Sequence, residues 1–510
     1  MATSTSAAPT QRPEDEYLGI GPTIGYGVQH ILAMFGGVIA VPIIIGGAAG
    51  LDTEEKALLV ACGLFVSGLT TFLQTLGLPF FGSKLPLVQG TSFATVSTML
   101  SIIKDTGGED GLRHVFGAVI VAGVIGLAIT PFFAKIVRFF PEVVTGSIIT
   151  VIGLSLMPVA AGWITGQEEI TGPDGSSKIP NPDFGSMGAI GLAALTFLVV
   201  IVLSKIQTLS RMAIILGLVV GTIVGLFTGQ TDLSPVGEAD PVAVPIPFNF
   251  GTPLFAVGAI ISMLIVILVI MVETTADLLA IGEVVGTPVD ARRVGDGLRA
   301  DMASTLIGPV FNTFPATGFA QNVGMVALTG IKSRFAVAAG GGILLLVGLS
   351  PMAAAVFSII PGPVLGGAGI VLFGTVAASG VRSLSRVNYA GNNNLVIVAS
   401  SMAIGLVPVV ASDFWEKFPT WFATIFDSGI SSAAIVAVVL NLFFNVFLPD
   451  TPDEPSGDAA APPRGVQETE IDILEKGGTL DTDTYEPDVR TDGTRARKPD
   501  LAKDAPVSDE

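Results

Sequence analysis

Five carboxyl or amide side chains stand where this chain is otherwise apolar, and their types suit proton exchange and planar hydrogen bonding. The run LIVILVIMVETTADLLAIGEVVG delivers Glu273 and Asp277, spaced i and i+4 on one helix face, after an uninterrupted apolar approach. An ionisable group inside a membrane span costs at least a few kcal/mol, so it normally faces a cavity and marks a pathway or relay. Burial also disfavours the ionised form of a carboxyl, which makes Glu273 the candidate proton carrier. Asp277 fits a structural hydrogen bond as well as a supporting role. Asp301, in LRADMASTLIGPVFNTFP, is expected to neighbour Glu273 and share its proton or fix its geometry. The fourth feature is the amide pair Gln321-Asn322, fenced by glycines in TGFAQNVGMVALTG.

The elements that must hold these groups are membrane helices. Half of the residues are hydrophobic and only 13% are charged, against about 25% charged in a soluble globular chain. Crossing a hydrocarbon core takes roughly 20 mostly apolar helical residues, and such segments recur from Pro22 to Leu448, centred on Met34, Val66, Val121, Ile152, Leu195, Val219, Ile265, Leu306, Leu344, Ala368, Ala399 and Val438. With two defective segments, this gives an all-α integral membrane protein of fourteen segments. Basic residues such as Lys135, Lys205, Arg211, Arg292, Arg293, Arg299, Lys332 and Arg334 gather in one set of loops, which places both termini in the cytoplasm. Residues 1–20 read as a cytoplasmic tail, 21–228 as a first repeat, 229–448 as a second, and 449–510 as a disordered acidic cytoplasmic tail.

The defective segments are the third, PLVQGTSFATVSTMLSII, and the tenth, Pro315 to Ile331. Each has a proline, a short extended run, a Gln, small residues and a helix-compatible run. Interrupted segments in matching places of two halves point to a transporter site between inverted repeats. Seven spans per repeat, an odd number, turn the second half upside down, so the two breaks meet near the midplane. Their half-helix starts offer unpaired N–H groups to a polar ligand. His30, on the first span, could contact the ligand, but is expected rather to tie that span to the broken third.

Other chemistries lack their parts. Cys62, His30 and His114 are the only cysteine and histidines and are scattered, so a Cys/His metal site is not expected. No phosphate-binding Gly-rich loop with Lys is present, so an ion gradient is the expected energy source. The net charge of −18 argues against a nucleic-acid partner. A membrane enzyme would need a nucleophile-base or metal cluster, which the sequence does not offer.

At these residues the chain resembles the nucleobase-ascorbate transporters, or nucleobase-cation symporters, over essentially all of Gly21 to Leu448. Their signature is a Gln, Glu or Pro, then Asn-x-Gly-x-x-x-x-Thr, then Arg, Lys or Gly. Gln321, Asn322, Gly324, Thr329 and Gly330 satisfy every fixed place, alongside GVQHILAMF, QGTSF and FNTFP. The resemblance implies two inverted seven-span repeats, the third and tenth segments each a short strand plus a half-helix, core and gate domains, residence in the plasma membrane, and a homodimer. It implies that Glu273, Gln321 and Asn322 serve the substrate, that Phe93, Ala320 and Ser92 line or tune the site, and that Asp301 is needed for transport. Gln321 and VETTADLLAIGE are similar to the xanthine and uric acid branch, whereas uracil-type members carry Glu and His at the places of Gln321 and Asp277.

The expected activity is import of a purine nucleobase with protons, or alternatively sodium, and no further cofactor. A primary amide presents one donor and one acceptor to the alternating edge of an oxopurine. Glu273 can accept from a ring N–H, and Phe93 can cover the ring face. The rival readings are a uracil-type permease of the same family and a sulfate- or bicarbonate-like anion carrier of the same architecture.

Overall fold

The computed structural model describes residues 12–447 apart from 137–138, 167–168, 172–177, 182–183, 208 and 390–392. The acidic stretch 449–510 lies outside the described residues. Nineteen helices and four short strands follow one another in the described chain. The first half holds α1 (Ile20–Ala48), α2 (Thr53–Thr75), β1 (Gln89–Thr91), α3 (Val96–Thr106), α4 (Gly108–Ile129), α5 (Phe133–Ile136), α6 (Glu142–Ser155), α7 (Met157–Thr165), the strands β2 (Glu169–Thr171) and β3 (Lys178–Pro180), α8 (Met187–Lys205) and α9 (Ala213–Phe227). After α10 (Ser234–Glu238) come α11 (Val257–Val285), α12 (Ala291–Val310), β4 (Ala316–Gly318), α13 (Ala320–Thr329), α14 (Arg334–Gly348), α15 (Pro351–Ser358), α16 (Gly362–Leu384), α17 (Asn393–Val410), α18 (Thr420–Phe426) and α19 (Gly429–Asn441).

Every apolar centre named from the sequence falls inside a helix. Among the described residues, eight helices are long and apolar enough to cross a membrane, or up to ten if each bent pair is one span. The helices are apolar on most faces because lipid covers what protein does not, and backbone groups in lipid must be satisfied within the segment. Helix ends are closed locally. Asp52 caps α2 through a reciprocal pair, accepting from the Glu55 amide at 2.8 Å while Glu55 accepts from the Asp52 amide at 2.9 Å.

The third and tenth segments are the exceptions to regular helix. Each enters as a strand and continues as a half-helix: β1 leads through a short 3₁₀ turn, Phe93–Thr95, into α3, and β4 leads into α13. The two strands pair antiparallel, Gln89 opposite Gly318, Gly90 opposite Thr317 and Thr91 opposite Ala316. Further bonds from the Ser92 amide to the Pro315 carbonyl (2.9 Å) and from the Phe319 amide to the Val88 carbonyl (3.1 Å) extend the ladder. The pairing satisfies non-helical backbone that is fully buried in the protein.

One difference from the sequence reading concerns the start of the chain. Residues 13–16 are not a loose tail: Pro13–Asp15 forms a 3₁₀ turn and Glu14 is only 1% exposed.

Candidate functional site

The paired strands put the two half-helix starts side by side, and α11 and α12 pack around them. The close approach needs small residues. A Cβ added at Gly90 would meet Phe319 Cε2 at 2.6 Å and Val38 Cγ2 at 2.8 Å, and one at Gly37 would meet Phe319 Cε1 at 2.7 Å and Phe93 Cε2 at 3.4 Å. The α1 backbone is thereby drawn against both Phe rings. Thr91 Oγ1 donates to the Val38 carbonyl at 3.0 Å and fixes the strand to α1.

Glu273 and Asp277 lie on α11, as their spacing predicts. The residue between the acids and the strands is Thr274. Its Oγ1 donates to Asp301 Oδ2 at 2.5 Å and lies 2.9 Å from Thr317 Oγ1 on β4, so one buried hydroxyl ties α11, α12 and the tenth segment together. Asp277 and Asp301 are buried, while Glu273 is half-buried. The three carboxyls lie within electrostatic reach of one another, and Gln89 on β1 faces Asp301. The expected neighbourhood of Asp301 and Glu273 is therefore present. Of the three acids, Glu273 has the most access to the surroundings.

On the tenth segment the amide pair divides its work. Asn322 is buried, and its Nδ2 donates to the Pro86 carbonyl at 2.6 Å, which clips α13 to the start of the third segment. Gln321 and Ala320, at the first turn of α13, are exposed. A primary amide facing an apolar medium would leave strong donors and acceptors unpaired, so the side chain of Gln321 must open onto a wet space. His30 is buried on α1 beside the Asn322 side chain. The tie it makes is thus to Asn322 of the tenth segment, which in turn bonds Pro86 at the start of the third.

On the third segment, Ser92 is buried and caps the 3₁₀ turn, accepting from the Ala94 amide at 3.3 Å. Phe93 follows with its ring edge-on to Phe373 of α16, centroids 5.8 Å apart, and Phe373 in turn lies 6.2 Å from Trp163 of α7. This aromatic wall brings the α7 and α16 elements to the site. Phe373 and Trp163 lie in apolar spans where nothing in the sequence marks them. Thr317 had a signal: the Thr-x-Phe of QGTSF recurs in PATGF, with Thr91 and Thr317 at matching places beside the breaks. Among the described residues, no group of three or more His, Cys, Asp or Glu is arranged to hold a metal ion.

Two crossed, broken segments with paired strands, half-helix starts and a carboxyl cluster define a membrane carrier fold. Solved structures share it. The murine Slc26a9 anion transporter in the inward-facing state aligns with a TM-score of 0.60 at 16% identity, covering 85% of this chain and 70% of that one. The transmembrane domain of a cyanobacterium bicarbonate transporter, BicA, aligns with a TM-score of 0.55 at 16% identity, covering 84% and 99%. In sequence, residues 21–414 match the permease family Xan_ur_permease, described as "Permease family", and the chain belongs to that family. It is similar to the xanthine permease of Bacillus subtilis, 39% identical over 84% of this chain and 95% of the relative. The uric acid transporter UacT of Escherichia coli is 38% identical over 86% and 90%. The chain is a transporter and not an enzyme.

Proposed function

We propose that this protein imports a purine nucleobase of the xanthine or uric acid type by symport with protons, through alternating access. The observation that carries the reading is the juxtaposition of an exposed Gln321 at one half-helix start with a half-buried Glu273 on the helix packed against it. In this reading Gln321 pairs with the edge of the heterocycle, Glu273 accepts from a ring N–H, and Phe93 covers one face. The amides of the half-helix starts, including that of Ala320, donate to ring carbonyls. Asn322 and Ser92 hold the backbone of the site in place, with His30 behind Asn322. Asp301 and Glu273 share the coupling proton, and Asp277 supports them. Coupling is then the free-energy difference between substrate binding to protonated and deprotonated carrier. The names of the relatives, xanthine permease and uric acid transporter, support the purine assignment.

The same reading takes the chain as fourteen crossings in two inverted repeats, a homodimer in the plasma membrane with both termini cytoplasmic and a proton as its only coupling ion. Uptake of labelled xanthine and uric acid into membrane vesicles, at several pH values and with sodium present or absent, tests it. Accumulation should collapse with a protonophore and persist without sodium, and unlabelled purines should compete better than uracil. Sodium-dependent accumulation, or competition by sulfate or bicarbonate but not by purines, would overturn it.

A further inference from the structure

The half-helices α3 and α13 occupy matching places after matching strands, yet they are covered very differently. On α3, Val96, Thr98, Met99, Ser101, Ile102 and Ile103 are all buried. On α13, Ala320, Gln321, Gly324 and Ala327 are exposed along one face. Ala276, Leu279 and Glu283 of α11 are exposed as well, along the half of that helix leading away from Glu273 toward its C-terminal end.

The two half-helices also end on opposite sides. Gly108, just past α3, lies near the Ala49 carbonyl at the far end of α1. The stretch after α13 lies beside the chain start, where Ser333 Oγ donates to the Glu16 carbonyl at 2.6 Å. The covered half-helix thus runs away from the N-terminal face, and the one with an exposed face runs toward it.

Beside buried apolar residues such as Met99, Ile102, Ile430 and Ala434, the far face is crossed by a set of polar links. Thr98 Oγ1 lies 2.7 Å from Ser428 Oγ, and Ser262 Oγ on α11 lies 3.0 Å from Ser431 Oγ on α19. Thr424 Oγ1 on α18 donates to Asp105 Oδ2 at 2.6 Å. Lys104 Nζ donates to the Ser412 carbonyl at 2.7 Å and stands 3.6 Å from Asp427 Oδ2. Matching TSFATVSTMLS with TGFAQNVGMVA sets Thr98 against Gly324 and Ser101 against Ala327. Thr98 and Ser101, the latter donating to the Thr424 carbonyl at 3.2 Å, therefore have counterparts on α13 with no side-chain hydrogen-bonding groups.

We propose that this hydroxyl ladder between α3–α11 and α18–α19 is the latch of the far gate, and that its one-sidedness makes the empty carrier rest open toward its N-terminal face. Small hydroxyls suit a latch that must release: when the faces part, water takes over each bond. The closed state keeps the net worth of those bonds. The opposite closure finds no side-chain hydroxyl at Gly324 or Ala327. The inference rests on the alternating-access reading above.

The test uses the full-length chain in vesicles of determined orientation, with Cys62→Ala removing the single cysteine and a reporter at Ala327→Cys or Ile102→Cys. An impermeant maleimide is applied to each face. In the parent, the Ala327 reporter reacts from the N-terminal face and the Ile102 reporter is protected. Combining Thr98→Val with Thr424→Val should raise labelling of the Ile102 reporter from the far face and lower that of the Ala327 reporter. The ratio should shift about tenfold, the effect of losing two hydrogen bonds of ordinary net worth. Thr98→Ser with Thr424→Ser, which keeps the hydroxyls, should leave the ratio in place. Lys104→Gln, an exposed change that cuts two of the links, should shift it in the same direction should the valine pair not assemble. An unmoved ratio in the folded valine variant, or in Lys104→Gln where that variant does not fold, overturns the latch, as does an equal shift with serine. Purine uptake by the parent, measured alongside, separates the two ideas: uptake with an unmoved ratio sinks the latch alone, whereas a shifted ratio in a chain that moves no purine sinks the transport reading alone.

Discussion

Glu273 is half-buried while Asp277 and Asp301 are sealed, and that difference in access sets what each substitution should do. Glu273→Gln keeps the shape and removes the charge that a ring N–H would meet. Hydrogen bonds to charged groups are worth about 1.5–3 kcal/mol net, so purine binding should weaken by about 10- to 100-fold, read by equilibrium binding to purified protein. Accumulation against a gradient should also be lost, and a variant that still concentrates labelled purine would remove the coupling role. Thr274→Val acts differently, because its hydroxyl holds the buried Asp301 and contacts Thr317. A stranded buried carboxylate costs about 1–3 kcal/mol or more, so this variant should lower the thermal midpoint in detergent, whereas Glu273→Gln should leave the midpoint nearly unchanged.

At the scale of elements, the site depends on how closely α1, β1 and α13 pass. Gly90→Ala puts a methyl group 2.6 Å from the Phe319 ring, and overpacking of that kind costs about 1–3 kcal/mol. Because the ring stands between the two broken segments, purine affinity should fall more than expression does, as a binding titration beside a fluorescence size-exclusion profile would show. The breaks themselves are legible in the sequence: Pro86, Gln89 and Gly90, and Pro315 with Gly318, interrupt otherwise membrane-compatible runs. The register is not legible, since strands of three residues carry no alternating pattern long enough to fix it. Glu273 and Asp301 stand out because charge is rare in an apolar span. Phe373 and Trp163 do not, because an aromatic residue in an apolar run looks the same whether it lines a site or packs a helix.

Across the whole molecule, the start of the chain works as a strap. Glu14 Oε1 meets Arg293 Nη2 at 2.6 Å, and the same guanidinium donates to the carbonyls of Ser83, Lys84 and Pro288. Asp15 pairs with Arg334 at 2.6 Å, and Arg334 donates to the Thr75 carbonyl. Loops from both halves are thus fastened at one face. Glu14→Ala should lower stability by up to about 3 kcal/mol, the lower end of the range for breaking a buried pair, because backbone carbonyls still hold the arginine. A thermal melt of the purified protein checks this, and an unchanged midpoint would show that the strap is ornamental. Nothing in an acidic, Pro-containing start distinguishes such a strap from a solvated tail, since the partner arginines lie far along the chain.

That separation has a consequence for biogenesis. Glu14 and Arg293 are 279 residues apart, and β1 likewise waits for β4 before its edge is matched. A ribosome that has delivered only the first half leaves a bare strand margin within the bilayer, which must be sheltered until its mate emerges. Expressed alone, the first half should be degraded, and supplying the second as a separate polypeptide should rescue it.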